Sequence, residues 1–76
     1  MHTPELTQNE ISGAVLREIR DALDISLGEM SKRASVSKSS LSEYENGHRP
    51  IGNGHLNAIL RVIADELVAR TLRAAS

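Results

Sequence analysis

The sequence contains no cysteine, tryptophan or phenylalanine, and Tyr44 is its one aromatic residue. Without cysteine the chain has no disulfide framework, no thiolate zinc site and no thiol nucleophile. Five glycines and two prolines among 76 residues exclude collagen-like and linker-like compositions. The core must therefore be built from aliphatic side chains and methionine.

Long apolar runs are also missing, and the N-terminus has neither a basic start nor an apolar leader. We therefore expect a cytoplasmic protein with no membrane partner. A chain of 76 residues has little room for a deep pocket. The three histidines, His2, His48 and His55, show no metal-ligand spacing. These absences predict no enzyme, no catalytic residues, no metal or other cofactor and no small-molecule substrate.

The chain also has no excess of positive charge, since its net charge is −1. Nucleic-acid-binding proteins more often carry a basic footprint. The charge is unevenly distributed, however. Residues 31–50 are mildly basic, whereas the first thirty residues are acidic.

Helical patterns account for most of the chain. Residues 7–23 have an apolar stripe, and Thr7 and Glu10 have the spacing of a capping box. Gly13 weakens this helix without breaking it. The stripe consists of Ile11, Val15, Leu16, Ile19 and Leu23.

Two short helices follow, over about 27–34 and 38–45. Ser26 and Ser37 are their predicted N-caps, and Asn46-Gly47 ends the second helix. Two short helices joined by about three residues form the helix-turn-helix motif. The motif spans about residues 26–46.

A last helical pattern runs from Asn53 to about residue 73. Leu67, Val68 and Leu72 extend its apolar side beyond what a small core needs. Either they pack against the first helix and the N-terminal arm, through Leu6 and Ile11, or they face a partner subunit. The sequence thus predicts one all-α domain over 1–76. It is a compact bundle of four or five helices that contains a helix-turn-helix and a long C-terminal helix.

The segment from Ser26 to Gly47 resembles the Cro/C1-type (XRE-like) helix-turn-helix domain of phage and bacterial repressors. The features that carry the resemblance are Ala34, the turn Ser35-Val36-Ser37 and the pattern Ser42-x-x-Glu45-Asn46-Gly47. The likeness extends back to Leu16 and forward to about Leu67.

The resemblance implies that helix 38–45 enters the major groove of double-stranded operator DNA. Its outward residues would read base edges. These are Lys38, Ser39, Ser42 and Glu43. Contacts to the DNA backbone would come from Ser26, Leu27, Ser37, Asn46, His48 and Arg49. The family commonly has glutamine at the place of Leu27, so a side-chain contact to phosphate is lost there. Gly28 is also unusual one turn into a helix.

The resemblance further implies a structural ion pair between Arg20 and Glu45, which would tie the first helix to the end of the recognition helix. The function it implies is that of a small repressor, Cro-like or bacterial, that occupies an operator, with a homodimer through the C-terminal helix as one arrangement. Two alternatives stay open. One is the antitoxin of a toxin–antitoxin pair. The other is a protein-interaction module that has kept the fold without DNA binding, which Leu27, Glu43 and the negative net charge favour.

Overall fold

A computed structural model describes residues 12–75 and contains four α-helices over that range. They are α1 (Gly13–Ala22), α2 (Leu27–Ala34), α3 (Lys38–Glu45) and α4 (Asn53–Ala75). This confirms the all-α fold, the two short helices of the helix-turn-helix and the long C-terminal helix. Within residues 12–75 no helix is long and apolar enough to cross a membrane.

Serine caps fix the starts of the first three helices. The hydroxyl oxygens of Ser12, Ser26 and Ser37 each accept a hydrogen bond from the backbone N–H three residues later, at 3.0–3.1 Å. Such caps satisfy N–H groups that have no partner inside the helix. The caps at Ser26 and Ser37 are those that the sequence predicts.

The predicted helix over 7–23 is wrong in its boundaries. Ser12 has an extended backbone and is the N-cap of α1, so no helix runs through it. Thr7, Glu10 and Ile11 lie outside the described residues. Val15 is also not a core residue, because it is 49% exposed.

Gly13 is required by packing and not merely tolerated by the helix. A Cβ atom at this position would lie 1.8 Å from the carbonyl oxygen of Tyr44 and 2.7 Å from the Cα atom of Glu45. Both are backbone atoms at the end of α3, so neither can move aside by a side-chain rotation. The missing side chain therefore allows the start of α1 to rest on the end of α3.

Each helix contributes one fully buried side chain to the core. These are Leu16, Met30, Leu41 and Ile59. Val36 and Ile51 extend the core from the connecting loops, at 2% and 4% exposure. The connection between α2 and α3 is short because Ser35, at φ 56° and ψ 42°, reverses the chain in the left-handed conformation. Val36 is held there by Ser31, which donates its hydroxyl to the Val36 carbonyl oxygen at 2.6 Å.

The second half of α4 extends beyond this core. Ile63 is its last buried residue. Glu66 attaches the extension to α2, since its carboxylate accepts a hydrogen bond from Arg33 at 3.0 Å. Arg70 pairs with Glu66 at 3.2 Å and donates a hydrogen bond to the carbonyl oxygen of Leu23. The hydrogen bonds from Arg33 and Arg70, of which that from Arg33 has the larger effect, lower the pKa of Glu66.

Candidate nucleic-acid interface

The helix α3 divides into a buried face and an exposed face. Leu41, Tyr44 and Glu45 are buried. Lys38, Ser39 and Ser40 are exposed, and Ser42 and Glu43 are half-buried. The four residues predicted to contact bases therefore all lie on the solvent side of one short helix.

Arg20 and Glu45 fix the position of α3 from its buried side. Arg20 donates two hydrogen bonds to the Glu45 carboxylate, from Nε to Oε2 and from Nη2 to Oε1, both at 2.8 Å. A third hydrogen bond joins Arg20 Nη1 to the carbonyl oxygen of Ile25 at 2.9 Å. Because both charged residues are more than nine-tenths buried, the pair excludes water at the junction of α1 and α3. The hydrogen bonds to Glu45 raise the pKa of Arg20.

The start of α2 lies beside the start of α3. Ser26 Oγ satisfies the N–H of Glu29, which leaves the N–H groups of Leu27 and Gly28 without an acceptor inside the helix. The Leu27 side chain packs against the core. The Nζ atom of Lys38 lies where it would be 3.9 Å from a Cβ atom on Gly28.

At the other end of α3, the loop after Glu45 folds back on the helix. The N–H of Asn46 donates to the carbonyl oxygen of Ser42, and that of Gly47 donates to Tyr44, each at 3.0 Å. The N–H of His48 donates to the carbonyl oxygen of Glu43 at 2.8 Å. The backbone N–H groups of this loop therefore cap the end of α3. The side chains of Asn46, His48 and Arg49 remain exposed.

Several predicted contact residues already have partners within the surface. Arg49 Nε lies 3.4 Å from Glu43 Oε2, so a candidate backbone contact and a candidate base reader form an exposed ion pair. Ser37 donates its hydroxyl to Ser40 Oγ at 2.8 Å, in addition to its role as N-cap. The structure thus uses Ser37 to start α3, a role that the sequence pattern also predicts.

The described residues offer no comparable site for a metal ion. No group of three or more His, Asp and Glu side chains within residues 12–75 is placed to hold one.

Comparison with known proteins identifies the family of the chain. A family model described as helix-turn-helix matches residues 16–64, from α1 to the middle of α4. A protein of Methanocella arvoryzae, named as an HTH-type transcriptional regulatory protein, is 47% identical over 38 residues. That match covers 50% of this chain and 12% of the relative.

A solved structure is similar over nearly the whole chain. It is the crystal structure of the clp gene regulator ClgR from Corynebacterium glutamicum, with a TM-score of 0.66 and 30% sequence identity. The likeness covers 95% of this chain and 85% of that one. The chain therefore belongs to the Cro/C1-type (XRE) helix-turn-helix family of DNA-binding transcriptional regulators.

Proposed function

We propose that this protein is a sequence-specific repressor, of the Cro-like phage type or a small bacterial equivalent, that acts by occupying an operator. The helix α3 lies in the major groove of the bound DNA, where its outward residues meet the base edges. These residues are Lys38, Ser39, Ser42 and Glu43. A repressor that excludes polymerase needs no ligand and no catalytic group. Its activity follows from affinity and sequence preference alone.

The division of α3 into a buried and an exposed face carries this proposal. Glu43 is an acceptor of the kind that pairs with the N4 amino group of cytosine, and serine hydroxyls both donate and accept. A carboxylate on this face repels phosphates wherever no base donor faces it. Glu43 therefore supplies discrimination more than affinity. The buried Arg20–Glu45 pair holds the helix in one orientation, as base reading requires.

Contacts to the DNA backbone on both sides of α3 set the register of the protein on the duplex. On one side lies the start of α2, at Ser26 and Leu27, where main-chain N–H groups point away from the helix. On the other side lie the side chains of Asn46, His48 and Arg49. These phosphate-contacting groups are few and the net charge is −1. One copy of the chain therefore has a modest electrostatic affinity for DNA.

The extension of α4 favours binding as a dimer. Leu67 and Val68 are 49% and 58% exposed. With 3.6 residues per turn, Leu67 and Val68 flank an uncharged strip of α4, with Glu66 and Arg73 on the opposite side. Asp65 and Arg70 border the strip, each three residues from one of the two apolar side chains. A second copy can pack on this strip through a two-fold axis.

The face is too small to hold a dimer in free solution. Residues 64–75 form about 18 Å of helix, with one face on the order of 200 Å². A stable interface buries about 800 Å² per partner. We therefore infer that two copies associate when neighbouring half-sites, about 34 Å apart, place them side by side.

Selection of bound duplexes from a random DNA pool tests the function. The wild-type chain should enrich one motif, and Glu43→Gln should lose the preference for cytosine at one base pair. Glu18→Gln is the matched control, because it removes the same charge from an exposed position on α1. A palindromic motif supports the dimer. If the wild-type chain enriches no motif, the repressor proposal is wrong and the fold serves protein interaction instead.

A further inference from the structure

The tripeptide Asn-Gly-His occurs twice in the chain, at residues 46–48 and 53–55. An asparagine side chain is readily attacked by the backbone nitrogen of the next residue when that residue is glycine, which has no side chain to shield the nitrogen. The two copies have closely similar intrinsic reactivity, because the two residues after each asparagine are the same. A large difference between them in the folded protein therefore comes from the structure around each copy.

The first copy is held in place at the end of α3. The N–H of Gly47 donates to the carbonyl oxygen of Tyr44 at 3.0 Å, and the side-chain amide of Asn46 donates to Ser42 Oγ at 3.4 Å. Asn46 directly follows Glu45, which is 7% exposed and belongs to the buried ion pair. A rotation of the backbone at Asn46 would therefore disturb that pair. The nitrogen that must attack is engaged, and the chain before it is fixed.

The second copy lies at the start of α4, and all three of its residues are exposed. The first backbone hydrogen bond of this helix runs from the N–H of Leu56 to the carbonyl oxygen of Gly52, at 2.9 Å. The N–H of Gly54 has no acceptor among residues 12–75. A Cβ atom at Gly52 or Gly54 would have nothing within 4 Å. Asn53 thus stands between two glycines in open space, where the backbone can rotate locally.

From this contrast we infer that Asn53 is a self-modification site, which converts to aspartate and isoaspartate in the folded protein, and that the fold protects Asn46 from the same reaction. The reaction consumes only water. DNA binding plays no part in it, so the modification is independent of the proposed function.

The reaction has two steps. Solvent base removes the proton from the Gly54 nitrogen, and this nitrogen attacks Cγ of Asn53. The new C–N bond closes a cyclic imide, the bond between Cγ and Nδ2 breaks, and ammonia leaves with a proton from water. Water then opens the imide at either of its carbonyl carbons. Opening at Cγ gives aspartate in an ordinary backbone, whereas opening at the main-chain carbonyl carbon gives isoaspartate, in which the chain continues through the side chain.

The two products affect α4 in opposite ways. Aspartate places a negative charge in the first turn, where the helix carries partial positive charge and has no acidic residue. Isoaspartate adds one carbon to the backbone between Gly52 and Leu56, which disrupts the first hydrogen bond of α4 beside the buried Ile51. We therefore expect Asn53→Asp to be at least as stable as the wild type, and the isoaspartate form to unfold at lower urea concentration.

Incubation of the full chain at mildly alkaline pH, with and without guanidinium chloride, tests the inference. Fragmentation mass spectrometry measures the product at each asparagine, because replacement of the amide NH2 by OH raises the mass. In the folded protein, product should form at Asn53 at least about fivefold faster than at Asn46, the factor that corresponds to one backbone hydrogen bond. In the denaturant the two rates should become similar. Asn57, which precedes Ala58 within α4, is the slow reference.

Gly54→Ala and Gly52→Ala are matched variants, because each adds a methyl group in open space beside Asn53. Only Gly54→Ala adds it to the attacking residue. In the denaturant, Gly54→Ala should slow the reaction at Asn53 without changing that at Asn46, whereas Gly52→Ala should leave both rates nearly unchanged. Circular dichroism establishes that the chain stays folded during incubation without denaturant.

Three results would overturn the inference. Asn46 reacts as fast as Asn53 in the folded protein, or the ratio of the two rates is the same in the denaturant, or the folded protein forms no product at Asn53 while the denatured protein does. Each result concerns the two asparagines alone. The repressor proposal is tested with DNA and stands or falls separately.

Discussion

Removal of Glu45 should strongly destabilise the protein. In the Glu45→Ala variant, the Arg20 guanidinium remains buried, with only 8% of the residue exposed. It loses two hydrogen bonds of 2.8 Å and keeps one, to the carbonyl oxygen of Ile25. Asp21, at 3.4 Å, is an exposed partner and cannot replace Glu45.

The magnitude follows from the burial of the pair. Breaking a buried ion pair by removing one partner costs about 3–5 kcal/mol, because the remaining charge stays uncompensated. A domain of 76 residues has a total stability of about 4–11 kcal/mol. The loss of about 3 kcal/mol should lower Tm by about 12–24 °C. Replacement of both partners, as in Arg20→Met with Glu45→Leu, should restore most of the stability.

Urea denaturation followed by circular dichroism measures these differences. Glu43→Ala is the matched control, because its pair with Arg49 is exposed and should be worth under about 1 kcal/mol. A loss of stability in Glu45→Ala no larger than that in this control would refute the role of the buried pair. The same role would be refuted if the double variant lost as much stability as its two single substitutions do together.

Three further substitutions test other parts of the fold. Gly13→Ala should destabilise the protein by about 3 kcal/mol in urea denaturation, because its Cβ atom meets the backbone at Tyr44; an unchanged midpoint would contradict that contact. Ser35→Gly should raise the free energy of unfolding by about 1 kcal/mol in the same assay, since it relieves a left-handed backbone; a loss would show that the hydroxyl is needed. Hydrogen bonding with Arg33 lowers the pKa of Glu66 from 4.5, so its contribution to stability is complete above about pH 4.5 and is lost as pH falls through the folded-state pKa. Glu66→Gln should therefore make unfolding between pH 5 and 3, followed by circular dichroism, less dependent on pH, and an unchanged profile would count against this.

The local parts of the fold were predictable from the sequence. Ser26 and Ser37 mark the starts of α2 and α3 through side-chain hydrogen bonds to residues three positions away. The end of α3 at Gly47, which has a φ of 76°, follows from the freedom of glycine in the left-handed region. These signals act over one turn, so the sequence alone displays them.

The long-range features were not predictable in the same way. From the sequence alone, Gly13 is predicted only to weaken a helix. The contact that requires glycine there is with Tyr44, some thirty positions along the chain. The Arg20–Glu45 pair follows only from family resemblance, since its members are 25 residues apart. The place of Lys38 beside Gly28 depends on how two helices meet, which no spacing along the chain encodes.

The proposed function requires that α3 reads base edges in the major groove. Methylation interference on the selected duplex tests this most directly, because the N7 atom of guanine lies in the major groove and the N3 atom of adenine lies in the minor groove. We predict that methylation of guanine N7 within the motif abolishes binding by the wild-type chain and that methylation of adenine N3 within the motif does not. Binding that tolerates N7 methylation throughout the motif would contradict the account.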